Sequence, residues 1–221
     1  MGIYKLEQQA RGTQIISGTE AKNRRQVVNK FIEIVESFGY EEIILPSIEP
    51  ASIYTDKAGK EILNQMYVFN DKGNPPRELC LRPEVTATIQ LIAKKHFKGR
   101  KNVKLWYLEK CWRYERCQLG RYREFWQFGV EILGGKAPDD SNEAMRILNL
   151  LLNSVGVKYQ FNSSVKRGLD YYVEDGFEAE CASLGAQKQI AGGGRYDCGV
   201  GFAVGLDRLL LAQEKGSQLN N

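Results

Sequence analysis

The densest chemistry in this chain lies in residues 111–134, CWRYERCQLGRYREFWQFGVEILG, which read as two strands joined by a basic loop. In the second strand, alternation puts Phe125, Gln127, Gly129 and Glu131 on one face and Trp126, Phe128, Val130 and Ile132 on the other. The second face is a core. The first carries an aromatic plate, an amide and a carboxylate around a glycine, which suits a small polar ligand better than solvent or a packed interior. In the first strand Arg113 and Glu115 share a face by the same rule, and the loop adds Arg116, Arg121 and Arg123. Such a hairpin can hold an anion beside a cationic or amide-bearing molecule. Taken alone it also fits an ordinary hairpin with surface Arg/Glu pairs, each contributing about 0–1 kcal/mol.

Four further motifs carry polar groups at ordered positions. In LRPEVT (81–86), Glu84 and Thr86 sit at a strand-to-helix junction, where they can accept hydrogen bonds from an ammonium group. A helix N-terminus stabilised by an acidic side chain is the alternative. RGLDYY (167–172) brings Arg167 beside Tyr171 and Tyr172, and a structural tyrosine pair is its plain alternative. AGGGRYD (191–197) lets backbone approach a flat ligand closely. GFAVGLDR (201–208) delivers Arg208 from the first turn of a helix, where a cation opposes the helix dipole and is expected to be held for an external anion.

The elements that must position these groups follow from periodicity. Val27, Val28, Phe31, Ile34, Val35 and Phe38 form one apolar stripe of a helix over 20–38, stopped by Gly39. A strand is predicted at 41–48 with Pro46 inside it, hence at a sheet edge or subunit boundary. Residues 55–78 read as a polar loop and short hairpin. A short strand then runs into a helix with Pro83 near its first position. A helix over 140–154 opens with Asp140 and Glu143 in capping-box spacing. Strands and glycine-rich turns fill 157–205, and a helix closes the chain. The predicted class is α+β: a mostly antiparallel sheet flanked by helices, with 1–221 forming a single domain.

Composition bounds the partners. The 221 residues are 43% hydrophobic and 26% charged, and 31 Lys plus Arg against 27 Asp plus Glu give net +4, too mild to argue nucleic-acid binding. No apolar run approaches the roughly 20 residues needed to span a bilayer. The N-terminus lacks the apolar core of a signal peptide, so no membrane association and a cytoplasmic, reducing location are expected. Cys80, Cys111, Cys117, Cys181 and Cys198 form no CxxC pair, and His96 is the single histidine, so neither a zinc site nor a disulfide framework is indicated.

In this order the motifs resemble the catalytic core of class II aminoacyl-tRNA synthetases, and within that class the histidyl-tRNA synthetase family, from about residue 12 to residue 212. Residues 22–48 resemble the first class motif, which builds the family's dimer interface, 111–134 the second and 200–212 the third. RGLDYY and AGGGRYD are similar to the two histidine-specific signatures. The resemblance implies histidine, ATP with Mg2+, and tRNA as partners, in a homodimer. It implies that Arg113 contacts the α-phosphate, Glu115 the adenine edge and Arg121 the outer phosphates, while Phe125 and Arg208 sandwich the adenine. Glu84, Thr86 and Gln127 would hold the ammonium, and Glu131 with Tyr172, beside Tyr171, the imidazole. Arg167 would contact the substrate carboxylate and the α-phosphate.

The sequence departs from the family pattern. The stretch between Glu131 and Arg167 has no room for the usual inserted domain, no C-terminal anticodon-binding domain follows Arg208, and Asp207 stands where glutamate is usual. Three readings follow: a minimal histidine-activating enzyme with weak unaided tRNA charging; a histidine-sensing paralogue similar to the regulatory subunit of ATP phosphoribosyltransferase; or a catalytic domain excised from a longer synthetase.

Overall fold

A computed structural model describes residues 3–4, 9–55, 60–165, 171–173 and 176–218. In chain order the elements are β1 (Ile3–Tyr4), β2 (Ile15–Ile16), α1 (Gly18–Ser37), β3 (Glu41–Glu42), β4 (Ile48–Pro50), α2 (Ser52–Thr55), α3 (Lys60–Gln65), β5 (Tyr67–Asn70) and β6 (Glu78–Leu81). They continue with α4 (Thr86–His96), β7 (Val103–Trp112), β8 (Glu124–Leu133), α5 (Asp139–Ser154), β9 (Gln160–Val165), β10 (Gly176–Glu180), β11 (Gln189–Tyr196), β12 (Gly199–Gly205) and α6 (Leu206–Gln218).

The central sheet has the order β3-β7-β8-β12-β11-β10-β9. Only the short β3–β7 pairing is parallel, so the α+β, mostly antiparallel expectation holds. One face is covered by α1 and α5. Val27, Phe31 and Val35 of α1 meet Phe128, Val130 and Ile132 of β8, Phe202 and Val204 of β12, and Ile147, Leu148 and Leu151 of α5. The α1 and β8 residues among these are those that helical and strand periodicity assign to the core, and burial of the whole cluster is the main source of stability. On the opposite face α4 packs Val85, Ile89 and Ala93 against Leu105, Tyr107 and Cys111 of β7 and against Tyr171 and Tyr196. This helix covers only part of that face. Among the described residues no helix is long and apolar enough to cross a membrane.

A second sheet, β4-β6-β5, flanks α4 and is tied to the main sheet by Arg82, which is fully buried. Its guanidinium donates to the Pro46 carbonyl at 2.7 Å, to the Lys110 carbonyl at 3.0 Å and to the Glu109 carboxylate at 2.7 Å, while Glu109 also accepts the Leu45 amide at 2.7 Å. Residues 43–47 have few ladder bonds of their own, and these contacts hold them instead.

Several local expectations are corrected. The strand predicted over 41–48 splits into β3 and β4, with Pro46 in the irregular stretch between, because its carbonyl is bonded to Arg82 rather than to a neighbouring strand. Pro83 precedes α4 by three positions, whose first residue is Thr86. The capping box at Asp140 and Glu143 does not form. Asp140 instead accepts from the Arg195 guanidinium, and Glu143 pairs with Lys104 at 2.8 Å, so both side chains tie α5 to the sheet. The predicted loop at 55–78 contains α3 as well as the β5–β6 hairpin, and 56–59 lie outside the described residues.

Candidate active site

The part of the sheet face that α4 leaves open forms a cavity of about 280 Å3. Its floor is made by neighbouring strands in register: Gln127 opposite Gly205, Gly129 opposite Ala203, and Ala203 opposite Gly192. The row of small residues on β11 and β12 leaves room above the sheet. At the mouth stand Phe125, Arg113, Glu115, Arg121 and Arg208, joined by Glu178 and Gln189 from the far side.

The second strand reads as the alternation requires, but β7 ends at Trp112, so Arg113 and Glu115 lie in the loop rather than on a strand face. The loop still turns both into the cavity. Arg113 donates Nε to the Pro83 carbonyl at 2.8 Å and lies 5.4 Å from the centre of the Phe125 ring, a cation–π contact. Arg121 pairs with Glu115 at 3.2 Å. Arg116 is exposed and does not line the cavity; Arg123 stacks on Tyr114, and its backbone N–H donates to the Gly12 carbonyl at 2.8 Å.

Arg208 corrects the expectation of a cation held only for an external anion. It lines the cavity, but Nε donates to the Gln189 carbonyl at 2.5 Å and Nη2 donates to the Gln187 carbonyl. These acceptors, extending from β11, explain how an arginine is kept at a helix start. Burial, with Arg121 nearby, pulls its guanidinium below the usual range, and Glu115 opposes this.

Beyond Gln127, under α4, lies a closed polar cluster. Glu84 accepts the backbone N–H groups of Thr86 and Ala87, each at 2.8 Å, and the Tyr171 hydroxyl at 3.2 Å. Of the two alternatives for Glu84, the structure has the capping one: the carboxylate satisfies orphan amides of α4. The Thr86 hydroxyl donates to Glu131 Oε1 at 2.8 Å, and the Tyr196 hydroxyl to Oε2 at 2.7 Å. Burial pushes the Glu131 carboxyl up to about 8, against the lowering effect of those two hydroxyls. Burial likewise raises Tyr171 and Tyr196 and pushes the Cys111 thiol up to about 12; that thiol donates to the Gln127 side-chain oxygen at 3.2 Å.

Tyr196, which the family resemblance did not single out, is thus a phenol on Glu131. Tyr172 lies over Gly194, where an added Cβ would run into its ring, and Tyr171 packs beside it with ring centres 4.7 Å apart. Of the three glycines in AGGGRYD, Gly192 lines the cavity and Gly194 is covered by Tyr172. Tyr196 was legible by alternation, since Gly192, Gly194 and Tyr196 share a face. Tyr107, Glu178 and Gln189 carried no comparable signal. Tyr107 is fully buried over Gly129, and its hydroxyl has no hydrogen-bond partner among the described residues. Arg167 and the rest of 166–170 lie outside the described residues.

The carboxylates at the cavity are already engaged: Glu115 by Arg121, Glu178 by Gln189 at 2.8 Å, and Asp207 by Arg24 at 2.5 Å. Among the described residues no group of three or more His, Cys, Asp or Glu converges on a metal position.

This combination, a seven-stranded antiparallel-rich sheet with an arginine- and phenylalanine-lined cavity over β8 and β12, is the catalytic fold of class II aminoacyl-tRNA synthetases. The apo histidyl-tRNA synthetase of S. aureus superposes with a TM-score of 0.80 at 28% identity, covering 96% of this chain and 71% of that one. A model described as histidyl-tRNA synthetase matches residues 12–161, and the chain belongs to that family as a histidine–tRNA ligase-like enzyme. The histidine–tRNA ligase of Archaeoglobus fulgidus is 29% identical over 308 aligned residues, covering 91% of this chain and 75% of the relative. That alignment is longer than the chain, so the relative carries residues within it that have no counterpart here. A Bacillus halodurans structure described as an ATP phosphoribosyltransferase regulatory subunit/histidyl-tRNA synthetase has the same fold, with a TM-score of 0.78 at 17% identity, covering 96% of this chain and 84% of that one.

Proposed function

We propose that the chain activates histidine with ATP to give histidyl-adenylate and pyrophosphate, and passes the histidyl group to tRNA. The observation that carries this reading is the placement of Phe125, Arg113, Arg121 and Arg208 around one cavity whose floor leads through Gln127 to the Glu84–Thr86–Glu131–Tyr196 cluster. A substrate carboxylate is an anionic nucleophile and needs no general base. Its oxygen bonds to the α-phosphorus as the bond to pyrophosphate breaks, and the developing charge is met by fixed cations. In this reading Arg113 takes the α-phosphate, Arg121 the outer phosphates, and Phe125 with Arg208 the two faces of the adenine. Arg167, by the family resemblance, adds a further cation.

In this reading histidine takes the inner end: Gln127, the cavity-lining amide next to the buried cluster, takes the ammonium, with Glu84 and Thr86 behind it. Glu131 with Tyr172, beside Tyr171 and Tyr196, takes the imidazole, and isosteres lacking the ring nitrogens would forfeit both hydrogen bonds. Mg2+ would supply neutralisation of phosphate charge, and Glu115 and Glu178, the cavity carboxylates paired with Arg121 and Gln189, are the side chains that would hold it beside the phosphates. This reading takes the stretch between β8 and β9 as lacking the inserted domain, and the unmatched residues within the archaeal ligase's alignment agree with a missing segment. The same reading takes the molecule as a homodimer through residues 22–48, where Ile44 and Ile48 are exposed.

Amino-acid-dependent ATP–pyrophosphate exchange, run across the standard amino acids, tests the activity. Exchange with histidine alone supports it. Histidine binding without exchange would replace it with the sensor reading, which needs no pyrophosphate-handling cations.

A further inference from the structure

Asp207 ties three elements together at the nucleotide end of the cavity. Its Oδ2 accepts the Trp126 backbone N–H at 3.1 Å, just where the β12–β8 ladder stops at the Gly205–Gln127 pair. Its Oδ1 accepts from Arg24 Nη2 of α1 at 2.5 Å. The two residues that flank the opening are the immediate neighbours of this junction: Phe125 precedes Trp126, and Arg208 follows Asp207. The Asp207–Trp126 bond therefore joins the strand end that carries the ring to the helix start that carries the guanidinium, whose tip rests on the Gln187 and Gln189 carbonyls.

Arg24 is an unusual partner for a mere surface pair. Its side chain is 14% exposed, and Nε and Nη1 are buried without a hydrogen-bond partner among the described residues. A guanidinium taken out of water for one carboxylate is a poor source of stability, since desolvation offsets most of the Coulombic gain. What the pair does supply is a second anchor for the buried Asp207 carboxylate, which otherwise rests on the Trp126 N–H alone. We infer that Arg24, which lies outside the cavity lining, is a positioning residue for the nucleotide: acting through Asp207, it holds Arg208 at the spacing from Phe125 that a purine ring requires. This rests on the proposed reading of that end as the ATP site.

The experiment compares Arg24→Met and Arg24→Lys with the unmodified chain by calorimetric titration of ATP and of histidine, alongside pyrophosphate exchange. Arg24→Met is expected to weaken ATP about tenfold while histidine affinity stays within about twofold, a size ordinary for coupling between contacting residues. Arg24→Lys should recover most of the loss, because one donor suffices for Asp207. Adding Arg24→Met to Arg208→Ala should weaken ATP no further than Arg208→Ala alone. Equal losses for both substrates, additive losses in the double variant, or unchanged ATP affinity would overturn the inference. If Arg24→Met does not fold, Asp207→Asn keeps an acceptor for Trp126 while removing the charge, and must show the same selective loss. An unmodified chain that binds ATP without exchange would end the enzymatic reading while the titrations still decide the role of Arg24; no ATP binding at all would end both.

Discussion

Tyr196 and Glu131 meet across an intervening strand: the Tyr196 hydroxyl on β11 donates to the Glu131 carboxylate on β8 at 2.7 Å, reaching over β12. The reach is possible because Gly201 of β12 lies beside Glu131 and has no side chain; a Cβ there would run into the carboxylate. The pair closes the inner end of the site and keeps an ionisable acid dry.

That acid makes stability depend on pH. The folded value of Glu131, about 8, lies above its ordinary 4.5, so between them the folded state holds a proton that the unfolded state releases. Stability from this group is complete below the ordinary value and is lost as pH rises through that window. Denaturant midpoints should therefore fall between about pH 5 and pH 8, and Glu131→Gln should flatten the slope. An unchanged slope in Glu131→Gln would assign the proton elsewhere.

Phe125 offers a flat face beside Arg113. Phe125→Ala should weaken ATP by about 1–3 kcal/mol, the usual worth of a base–aromatic stack. Histidine affinity should hold. Arg113→Ala should instead lower turnover on the order of 10²–10³-fold, as removal of a transition-state donor does. Separate measurement of KM for ATP and of kcat distinguishes the two effects.

Arg82 predicts a stability effect rather than a kinetic one. Arg82→Met leaves Glu109 buried beside Glu49 without a counter-charge, a loss of about 3–5 kcal/mol. Pairing it with Glu109→Gln should restore a large part, since the amide still accepts the Leu45 N–H. Thermal melts of the single and double variants check this.

The dimer reading makes its own demand. Ile44 is 80% exposed and Ile48 52% exposed on neighbouring segments, so Ile44→Glu should shift the sedimentation of a dimer towards the monomer. Sedimentation of the unmodified chain as an active monomer at micromolar concentration would reject the interface.

Much of this architecture was legible in the sequence. Alternation in 124–133 separates Phe125, Gln127 and Glu131 from Phe128, Val130 and Ile132, because a strand buried on one side by helices and on the other by a polar cluster must alternate in kind. What alternation did not show was partner choice. Glu84 was readable as ammonium ligand or helix cap, and the choice depends on where the amides of α4 point. Asp140 and Glu143 have capping-box spacing, yet Arg195 and Lys104, distant in sequence, draw both away. Arg208 looked misplaced on its helix because its acceptors, the carbonyls of Gln187 and Gln189, lie at and just before the start of β11. Such pairings are set by strand order, which local spacing does not encode.

Strand order also governs how the chain can be made. β12 sits between β8 and β11, so one of the sheet's central strands is the last to leave the ribosome. Until then the β7–β8 hairpin carries an open edge and an uncovered row of Phe128, Val130 and Ile132, the kind of surface that draws nascent chains into aggregates or onto chaperones. Cavity floor and sheet closure arrive in one event, so a chain stalled before Gly199 has neither a completed core nor a place for a nucleotide.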